Sequence, residues 1–254
     1  LVHSANGYHL IALRKEEKIL PGPVVKEAVE ERAEAIELEQ GRKVRRKEKD
    51  ELKEQVMLEM LPQAFSRNRR CFAYLAPQDG VLVVDAGSAK QAEDLASTLR
   101  KSLGSLPVRP PAVEQSPAFT LTGWLNETID HPATVELGNE CELKDPSEDG
   151  GVVRCKGLDL KADEIRNHLD AGMQVTKLAL TWDDNVSFVL DEELGIRRLK
   201  FGETLQEQLD DVDVDDALAK FDAAFTIMTL ELSRLIPGLL EALGGEDRSA
   251  IVEE

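Results

Sequence analysis

The pattern of apolar and polar positions predicts a helical segment near the beginning of the chain. A short strand is predicted at Tyr8–Leu13, where apolar side chains cluster. Pro23 then suits the first turn of a helix that should run to about Gln40, and Gly41 suits the left-handed residue that ends many helices. A second helix is predicted from the basic segment after Gly41 to about Leu61. Two consecutive long helices predict a projecting helical arm.

Apolar residues at intervals of three or four indicate the faces on which these two helices pack. The stripe on the first helix is thin, which predicts that most of that helix is exposed to solvent. The two predicted stripes are Val24, Ala28, Ala35, Ile36 and Leu38 on the first helix, and Leu52, Val56, Leu58, Met60 and Leu61 on the second.

A hairpin and a helix are predicted next. The apolar runs Cys71–Ala76 and Val81–Val84 flank Asp79-Gly80, a strong hairpin signal. Ser88 predicts the start of a helix, because Gln91 three residues later completes a capping box. The proline-rich segment 107–119 that follows is interpreted as a connector.

The remainder of the chain is rich in predicted strands. They are Ala133–Leu143, Gly151–Leu158, Gln174–Trp182, Val186–Leu190 and Ile196–Phe201. Most links between them are short, which predicts antiparallel neighbours. One helix is expected at about Ala162–Ala171. A last helix should begin near Asp215 or Asp216 and present a core-facing stripe of Phe221, Phe225, Met228, Leu232, Leu235 and Leu239.

The predicted fold class is therefore α+β, with antiparallel sheets, a projecting helical arm and a C-terminal core helix. Four regions are predicted: an entry strand in residues 1–22, the arm in 23–66, a hairpin with helices in 67–130, and a strand-rich region with the last helix in 131–254. Because the first residue is Leu1 and not methionine, a preceding segment is expected to be missing.

Composition favours a soluble, cytoplasmic protein. The chain has 254 residues, of which 42% are hydrophobic and 31% charged, enough for a well-buried core. Its most apolar C-terminal runs are interrupted by Glu231 and Arg234, which argues against a spanning helix. The three cysteines, an odd number without paired spacing, argue against a disulfide framework: Cys71, Cys141 and Cys155.

Charge is distributed unevenly. The net charge is -18, yet the eight residues from Arg42 to Lys49 contain six basic residues and one acidic residue. We call this eight-residue segment the basic octet. Its basic members are Arg42, Lys43, Arg45, Arg46, Lys47 and Lys49. A solvated helix face explains many such runs, and neighbouring glutamates could form ion pairs with it.

Further basic clusters favour one shared positive surface. They are Arg67 with Arg69 and Arg70, Arg154 with Lys156, and Arg197 with Arg198 and Lys200. Aromatic residues make up only 4% of the chain, so few platforms exist for base stacking. Binding would therefore be directed at phosphates, weakly dependent on sequence and strongly dependent on salt.

Enzymatic signals are weak. The sequence contains neither a GxxxxGK[ST] loop nor GxGxxG after a strand, and its four histidines have no ligand partners at metal-binding spacing.

Strand alternation predicts that Cys155 is buried between outward-facing basic neighbours. Asp211–Asp222 resembles a calcium loop but lacks its central glycine and closing glutamate, so an acidic helix start explains the run better.

Several quoted segments, in order from about Leu10 to about Glu246, carry a family resemblance. They include "LRKEEKILPGPVVKEAVE", "LPQAFSR", "SAKQAEDLASTLRKSLGSLPV", "EDGGVVR", "VTKLAL", "RRLKF", "FDAAFTIMT" and "LGGE". Together they resemble the RdgC family, recombination-associated DNA-binding proteins of Gram-negative bacteria.

This resemblance implies a dimer closed into a ring around duplex DNA, with no enzymatic activity and no cofactor. It implies that the protein limits RecA access to DNA during recombination and replication-fork repair, and that it is associated with the nucleoid. Single-stranded DNA is a further expected ligand. The resemblance places Phe65 where two arms meet, and Arg154 and Lys156 in a region of DNA contact.

Two alternatives stay open at the level of sequence. The basic arm could dock an acidic protein partner without touching DNA. A metal-dependent nuclease could use Asp183, Asp184 and Asp191, although "TWDDN" is typical of a tight turn between strands.

Overall fold

The computed structural model describes residues 2–147, 149–210 and 216–247. Within these residues the chain forms nine strands, seven α-helices and a short 3-10 helix, Leu61–Gln63. In chain order, the strands and α-helices are β1 (His3–Ala5), β2 (Tyr8–Ile19), α1 (Gly22–Gln40), α2 (Arg46–Met60), β3 (Phe65–Ala76), β4 (Val81–Asp85), α3 (Ala89–Leu103), α4 (Pro117–Leu125), β5 (Val135–Lys144), β6 (Val152–Lys156), α5 (Asp163–Asp170), β7 (Gln174–Trp182), β8 (Val186–Asp191), β9 (Ile196–Phe201), α6 (Glu203–Asp210) and α7 (Ala217–Ala242).

The described chain divides into two compact units, and the prediction of a mixed α+β fold is confirmed. Unit 1 contains the residues up to His3, Leu10–Leu75 and Leu82–Leu99. Unit 2 contains Ser4–His9, Ala76–Val81 and the described residues from Arg100 onwards. A four-stranded sheet has the order β1-β2-β3-β4, and a five-stranded antiparallel sheet has the order β6-β5-β7-β8-β9.

Helices α1 and α2 pack on each other in unit 1. Their shared core contains Val25, Val29 and Val56, with Leu52 and other partly buried residues around it. Gly41 ends α1 with φ of 62°, as predicted, because a residue without Cβ adopts this conformation at little cost.

The predicted stripe on α1 is only partly confirmed, because Ala28 packs against the core but the buried side chains lie at other positions. Val25, Val29 and Ala33 are buried, whereas Val24 is 43% exposed and Leu38 is 87% exposed. A shift of one residue turns a helical side chain by about 100°, so a thin stripe is easily assigned to the wrong face. On α2, Val56 is buried as predicted, but Leu58 is exposed.

The strand and hairpin predictions for unit 1 are largely confirmed, with changed boundaries. Strand β2 extends to Ile19, beyond the predicted Leu13, and its charged second half is mostly exposed. Cys71 and Ala73 on β3 pack against Leu95 of α3.

The helix start predicted at Ser88 is also confirmed. The Gln91 amide donates to the Ser88 hydroxyl at 3.3 Å. The Gln91 side chain, however, accepts from the amide of Gly87 at 3.1 Å, one residue before the cap.

The core of unit 2 includes a helix that the sequence pattern missed. Helix α4 begins inside the segment interpreted as a connector and buries Leu121, Trp124 and Leu125. The Val175 amide of β7 donates to the Thr122 hydroxyl of α4 at 2.9 Å. Proline tolerates the first turn of a helix, so prolines before and at its start did not exclude it. Helix α6 was likewise not predicted.

Helix α7 packs as the core helix of unit 2. Phe225, Leu232, Leu235 and Leu239 are buried as predicted, whereas Phe221 is 45% exposed. A Cβ added at Gly238 would lie 2.5 Å from the Trp182 ring, so α7 and β7 approach closely there.

Helix α7 is also the one described helix long and apolar enough to cross a membrane, judged by length and composition alone. Its buried stripe against the rest of unit 2 is typical of a core helix.

Acidic residues lead into α7. Asp216 is its N-cap, and its side chain accepts from the Leu218 amide at 2.9 Å. This contact agrees with the interpretation of the run as an acidic helix start. Residues 211–215 of the calcium-like segment, including Asp215, lie outside the described residues.

Candidate nucleic-acid interface

The register of the five-stranded sheet gathers charged side chains from distant parts of the chain onto one face. Glu142 on β5 lies opposite Arg154 on β6 and opposite Lys177 on β7. Lys177 in turn lies opposite Asp191 on β8. Side chains at opposite positions of neighbouring strands share a face, so these four residues form a row across the sheet.

Extending this alternation along the strands defines the charged sheet face, which has more basic than acidic members. Its basic residues are Lys144, Arg154, Lys156, Lys177, Arg197, Arg198 and Lys200, and its acidic residues are Glu136, Glu140, Glu142 and Asp191. Eight of these eleven residues line a groove of about 510 Å³, and the other three, Lys144, Lys200 and Glu136, lie outside it.

Glu142 lies at the centre of a hydrogen-bonded group on this face. Its carboxylate accepts from Arg154 Nε at 2.7 Å, from Lys177 Nζ at 2.8 Å and from the Thr176 hydroxyl at 3.2 Å. Burial alone would raise the pKa of Glu142, but the hydrogen bonds from Lys177 and Arg154 outweigh burial and lower it.

The cations of this group extend outward beyond the carboxylate. The side chain of Arg154 is 75% exposed and that of Lys177 is 43% exposed, whereas Glu142 is 15% exposed. A ligand approaching from solvent would therefore meet positive charge first.

A β-bulge brings Arg198 to the same group of charges. Val189 pairs with Arg197 and Ser187 pairs with Lys200, so two residues of β9, beginning with Arg198, lie opposite one residue of β8. Arg198 adopts φ of 51° at the bulge, and its guanidinium donates to the Glu140 carboxylate. This hydrogen bond lowers the pKa of Glu140, and the charge of Lys156 contributes further.

Asp191 has a structural role at the start of the β8–β9 turn. Its buried carboxylate accepts from the Gly195 amide at 2.6 Å, from the Glu193 amide at 3.2 Å and from Arg197 Nε at 2.9 Å. These contacts hold the turn and orient Arg197.

The basic octet covers the segment after α1 and the first turn of α2, so it is only partly helical. Helix α2 runs from Arg46, within the octet, to Met60, so the prediction of a helix from the octet to about Leu61 is confirmed. The Val44 side chain is buried, and its amide donates to Glu37 at 2.8 Å, which holds the chain outside the helix. Only Arg46, Lys47 and Lys49 of the basic members are in α2.

Arg42 is bound within the octet itself. Its guanidinium donates to both carboxylate oxygens of Glu48, at 2.9 and 2.7 Å. This contact, together with the Arg45 amide, lowers the pKa of Glu48 to about 2. The other basic side chains are exposed, and no ion pair to them is found within the described part of the chain. They are Lys43, Arg45, Arg46, Lys47 and Lys49.

The basic residues of β3 form a third group. Arg67, Arg69 and Arg70 are exposed in the first half of this strand. Arg69 lies 3.6 Å from Glu17 of β2. The octet and these arginines belong to unit 1, whereas the charged sheet face belongs to unit 2.

Phe65 begins β3, and its residue surface is 86% exposed. A core residue would be covered, so Phe65 does not belong to the core of the described chain. Aromatic residues are enriched in protein interfaces, so this exposure leaves Phe65 available for a contact with another molecule.

The cysteines are buried and free. Cys141 lies opposite Cys155 in the β5–β6 ladder. Burial, followed by the neighbouring Cys155, raises the pKa of Cys141 to about 12. Cys155 is buried between exposed Arg154 and Lys156, which confirms the prediction from alternation.

Sequence reasoning missed Lys144 and Lys177 as members of the charged sheet face. Lys177 occupies an outward position of a predicted strand, and Lys144 lies one residue beyond the end of another, so alternation could have identified their orientation. Their proximity to Arg154 depends on strand order and register, which the sequence pattern did not reveal.

Comparison with known proteins identifies the family. A family model described as "Putative exonuclease, RdgC" matches residues 1–246. The chain belongs to the RdgC family. It is 53% identical over 249 residues to the Recombination-associated protein RdgC of Aeromonas hydrophila, covering 98% of this chain and 82% of that protein. It is 50% identical over 247 residues to the protein of the same name from Pseudomonas aeruginosa strain PAO1, covering 97% and 80%.

The names of the family model and of the relatives point to different activities. The relatives are named for recombination, and the family model for nuclease activity. Within residues 2–147, 149–210 and 216–247, there is no group of three or more His, Cys, Asp or Glu side chains that could hold a metal ion. A role associated with recombination is shown by the family, and the described geometry gives no positive support for catalysis.

Proposed function

We propose that this RdgC-family protein is a non-enzymatic, sequence-independent DNA-binding protein that encircles duplex DNA as a homodimeric ring. In this role it limits the access of RecA to DNA and modulates recombination and replication-fork repair. The proposal extends to a location on the nucleoid in the cytoplasm and to single-stranded DNA as a further ligand.

The observation that carries this proposal is the charged sheet face. Seven basic side chains share it with four acidic ones, and the most exposed members of its ion pairs are cations. In a chain of net charge -18, such a face offers phosphates a local attraction that the acidic remainder does not.

The chemistry of the face favours phosphates over bases as the recognised groups. Its uncharged members include Val152, Ala179, Thr181, Ser187 and Val189, which are small or aliphatic, and Gln174, which lies opposite Lys144 at one end of β5. Among these six residues, none offers an aromatic ring for stacking, and only Gln174 carries an amide that could read a base edge. Binding should therefore vary little with sequence and fall steeply with salt.

The acids considered for a nuclease do not form a site. Asp183 and Asp184 have φ of 48° and 55° in the tight turn between β7 and β8, and Asp191 is occupied by amides and Arg197. Exposed Phe65 supports the ring, because it is available to contact a second copy.

The test is retention of long duplex DNA with and without magnesium. Retention without strand breaks, by a protein with the mass of a dimer, is expected. Arg154→Glu with Lys156→Glu should weaken binding to all sequences, whereas Lys161→Glu with Arg166→Glu, an equal charge change away from the face, should have a smaller effect.

Two other outcomes would reject the proposal. Absence of retention would favour the second candidate, an interaction protein whose basic octet docks an acidic protein partner. Magnesium-dependent strand breaks would favour the nuclease.

A further inference from the structure

Two carboxylates on β5 bind three of the cations on the charged sheet face. Glu142 accepts from Arg154 and Lys177, and Glu140 accepts from Arg198. A carboxylate presents two anionic oxygens, as a phosphodiester does with its two non-bridging oxygens. Glu140 and Glu142 therefore accept hydrogen bonds from these cations as the phosphates of DNA would.

The depth of the carboxylates allows an exchange of partners. Glu142 is 15% exposed beneath Arg154, which is 75% exposed, and Glu140 is 27% exposed beside Arg198, which is 50% exposed. A phosphate can approach from the solvent side while the carboxylate stays below. The cation would then need only a small rotation to change partners.

We propose that Glu140 and Glu142 are internal phosphate substitutes, which compete with DNA for Arg154, Lys177 and Arg198. The inference rests on the proposed DNA-binding function and adds a regulatory property to the same face. Each contact with DNA replaces an existing ion pair, so each contact contributes less affinity than a free cation would. The cations nevertheless stay oriented when no DNA is bound.

This competition should help the protein to move along DNA. Arg154, Lys177 and Arg198 can each release one phosphate and return to a carboxylate before they bind the next, so none of the three is left unpaired. Electrostatic contacts of this kind let proteins slide along DNA. The two glutamates would favour movement over tight, static binding.

The test compares Glu140→Gln, Glu142→Gln and the double variant with the unaltered protein in duplex binding at several salt concentrations. Glutamine keeps the shape and one acceptor oxygen but removes the charge. The double variant should bind on the order of threefold to tenfold more tightly at about 0.1 M salt. Its salt dependence should steepen by about 2 units, at ~0.9 for each of the two positive charges that the glutamates no longer neutralise.

Glu136→Gln is the matched control, because Glu136 lies on the same strand and face and loses the same charge. Equal gains for Glu136→Gln and Glu142→Gln would show a net-charge effect only and overturn the inference. Weaker binding by both Glu140→Gln and Glu142→Gln would also overturn it, since the glutamates would then serve to position the cations.

A variant that lacks the competing cations distinguishes competition from a general effect of net charge. In a protein carrying Arg154→Gln and Lys177→Gln, the gain from Glu142→Gln should disappear, and a persisting gain would contradict the inference. Failure of the unaltered protein to bind duplex DNA would instead reject the proposed function. Should Glu142→Gln not fold, Glu140→Gln measured against Glu136→Gln decides the question.

Discussion

Arg42 binds Glu48 through two parallel hydrogen bonds of 2.9 and 2.7 Å, and the same carboxylate accepts from the Arg45 amide at 2.8 Å. The pair ties the chain between α1 and α2 to the first turn of α2. One basic residue of the octet is thus part of the local structure, which leaves the remaining basic side chains to meet a ligand.

Charge reversal at Arg45 and Arg46 should weaken binding to all duplex sequences about equally, because both side chains are exposed and no base-reading side chain is predicted beside them. The loss of two phosphate contacts should flatten the salt dependence by about 2 units. Binding titrations on duplexes of unrelated sequence measure both effects. Lys90→Glu with Lys101→Glu, on exposed positions of α3, is the charge-matched control. Loss of affinity for one sequence only would contradict the prediction.

The Arg42–Glu48 pair should make the octet sensitive to acid. The pKa of Glu48 is about 2 in the folded protein, below its ordinary value of 4.5. Its stabilising contribution is therefore present above about pH 4.5 and is lost as the pH falls toward 2. A carboxyl NMR titration of Glu48 should show the low midpoint, and Arg42→Gln should move it upward. An unchanged midpoint in that variant would show that Arg42 is not the cause.

Phe65→Ala should weaken contact between subunits without unfolding the chain. The side chain is exposed, so stability of the isolated subunit should change by less than about 0.5 kcal/mol. At a central interface contact the truncation should cost ~2–4 kcal/mol. A second interface is expected to keep the mass dimeric while the ring opens more readily.

Release from circular and linear duplex at matched high salt measures this opening. The Phe65→Ala variant should leave circles faster than the unaltered protein, since only a closed ring holds a circle topologically. Leu103→Ala, at a residue that is 60% exposed on α3, is the control. Equal release from circles by Phe65→Ala and the unaltered protein would refute a role in ring closure.

Leu235→Ala should destabilise the protein strongly, because this α7 side chain is fully buried. Removing a buried leucine costs about 2–5 kcal/mol through lost burial and the cavity left behind. Leu218→Ala on the same helix removes a side chain that is 74% exposed and should cost less than about 0.5 kcal/mol. Denaturant unfolding measures both, and equal losses would show that the stripe does not form the core.

Local signals were sufficient for much of the secondary structure. Strands β7 and β9 were predicted with their observed bounds, and Gly41 ends α1 as expected. These features depend on alternation and on backbone preferences within a few residues. Helix α4 was missed because its burial against β7 is a tertiary contact, while its local sequence resembles a connector.

Residue type, order and short periodicity were enough to predict the α+β class, the basic clusters, the family and the buried position of Cys155. The position of Lys177 between Glu142 and Asp191, and the contact of Arg198 with Glu140 at a bulge, became visible only in the folded chain. They depend on strand order and register, which bring together residues separated by long stretches of chain. A one-residue shift in register would reverse the face that each side chain occupies.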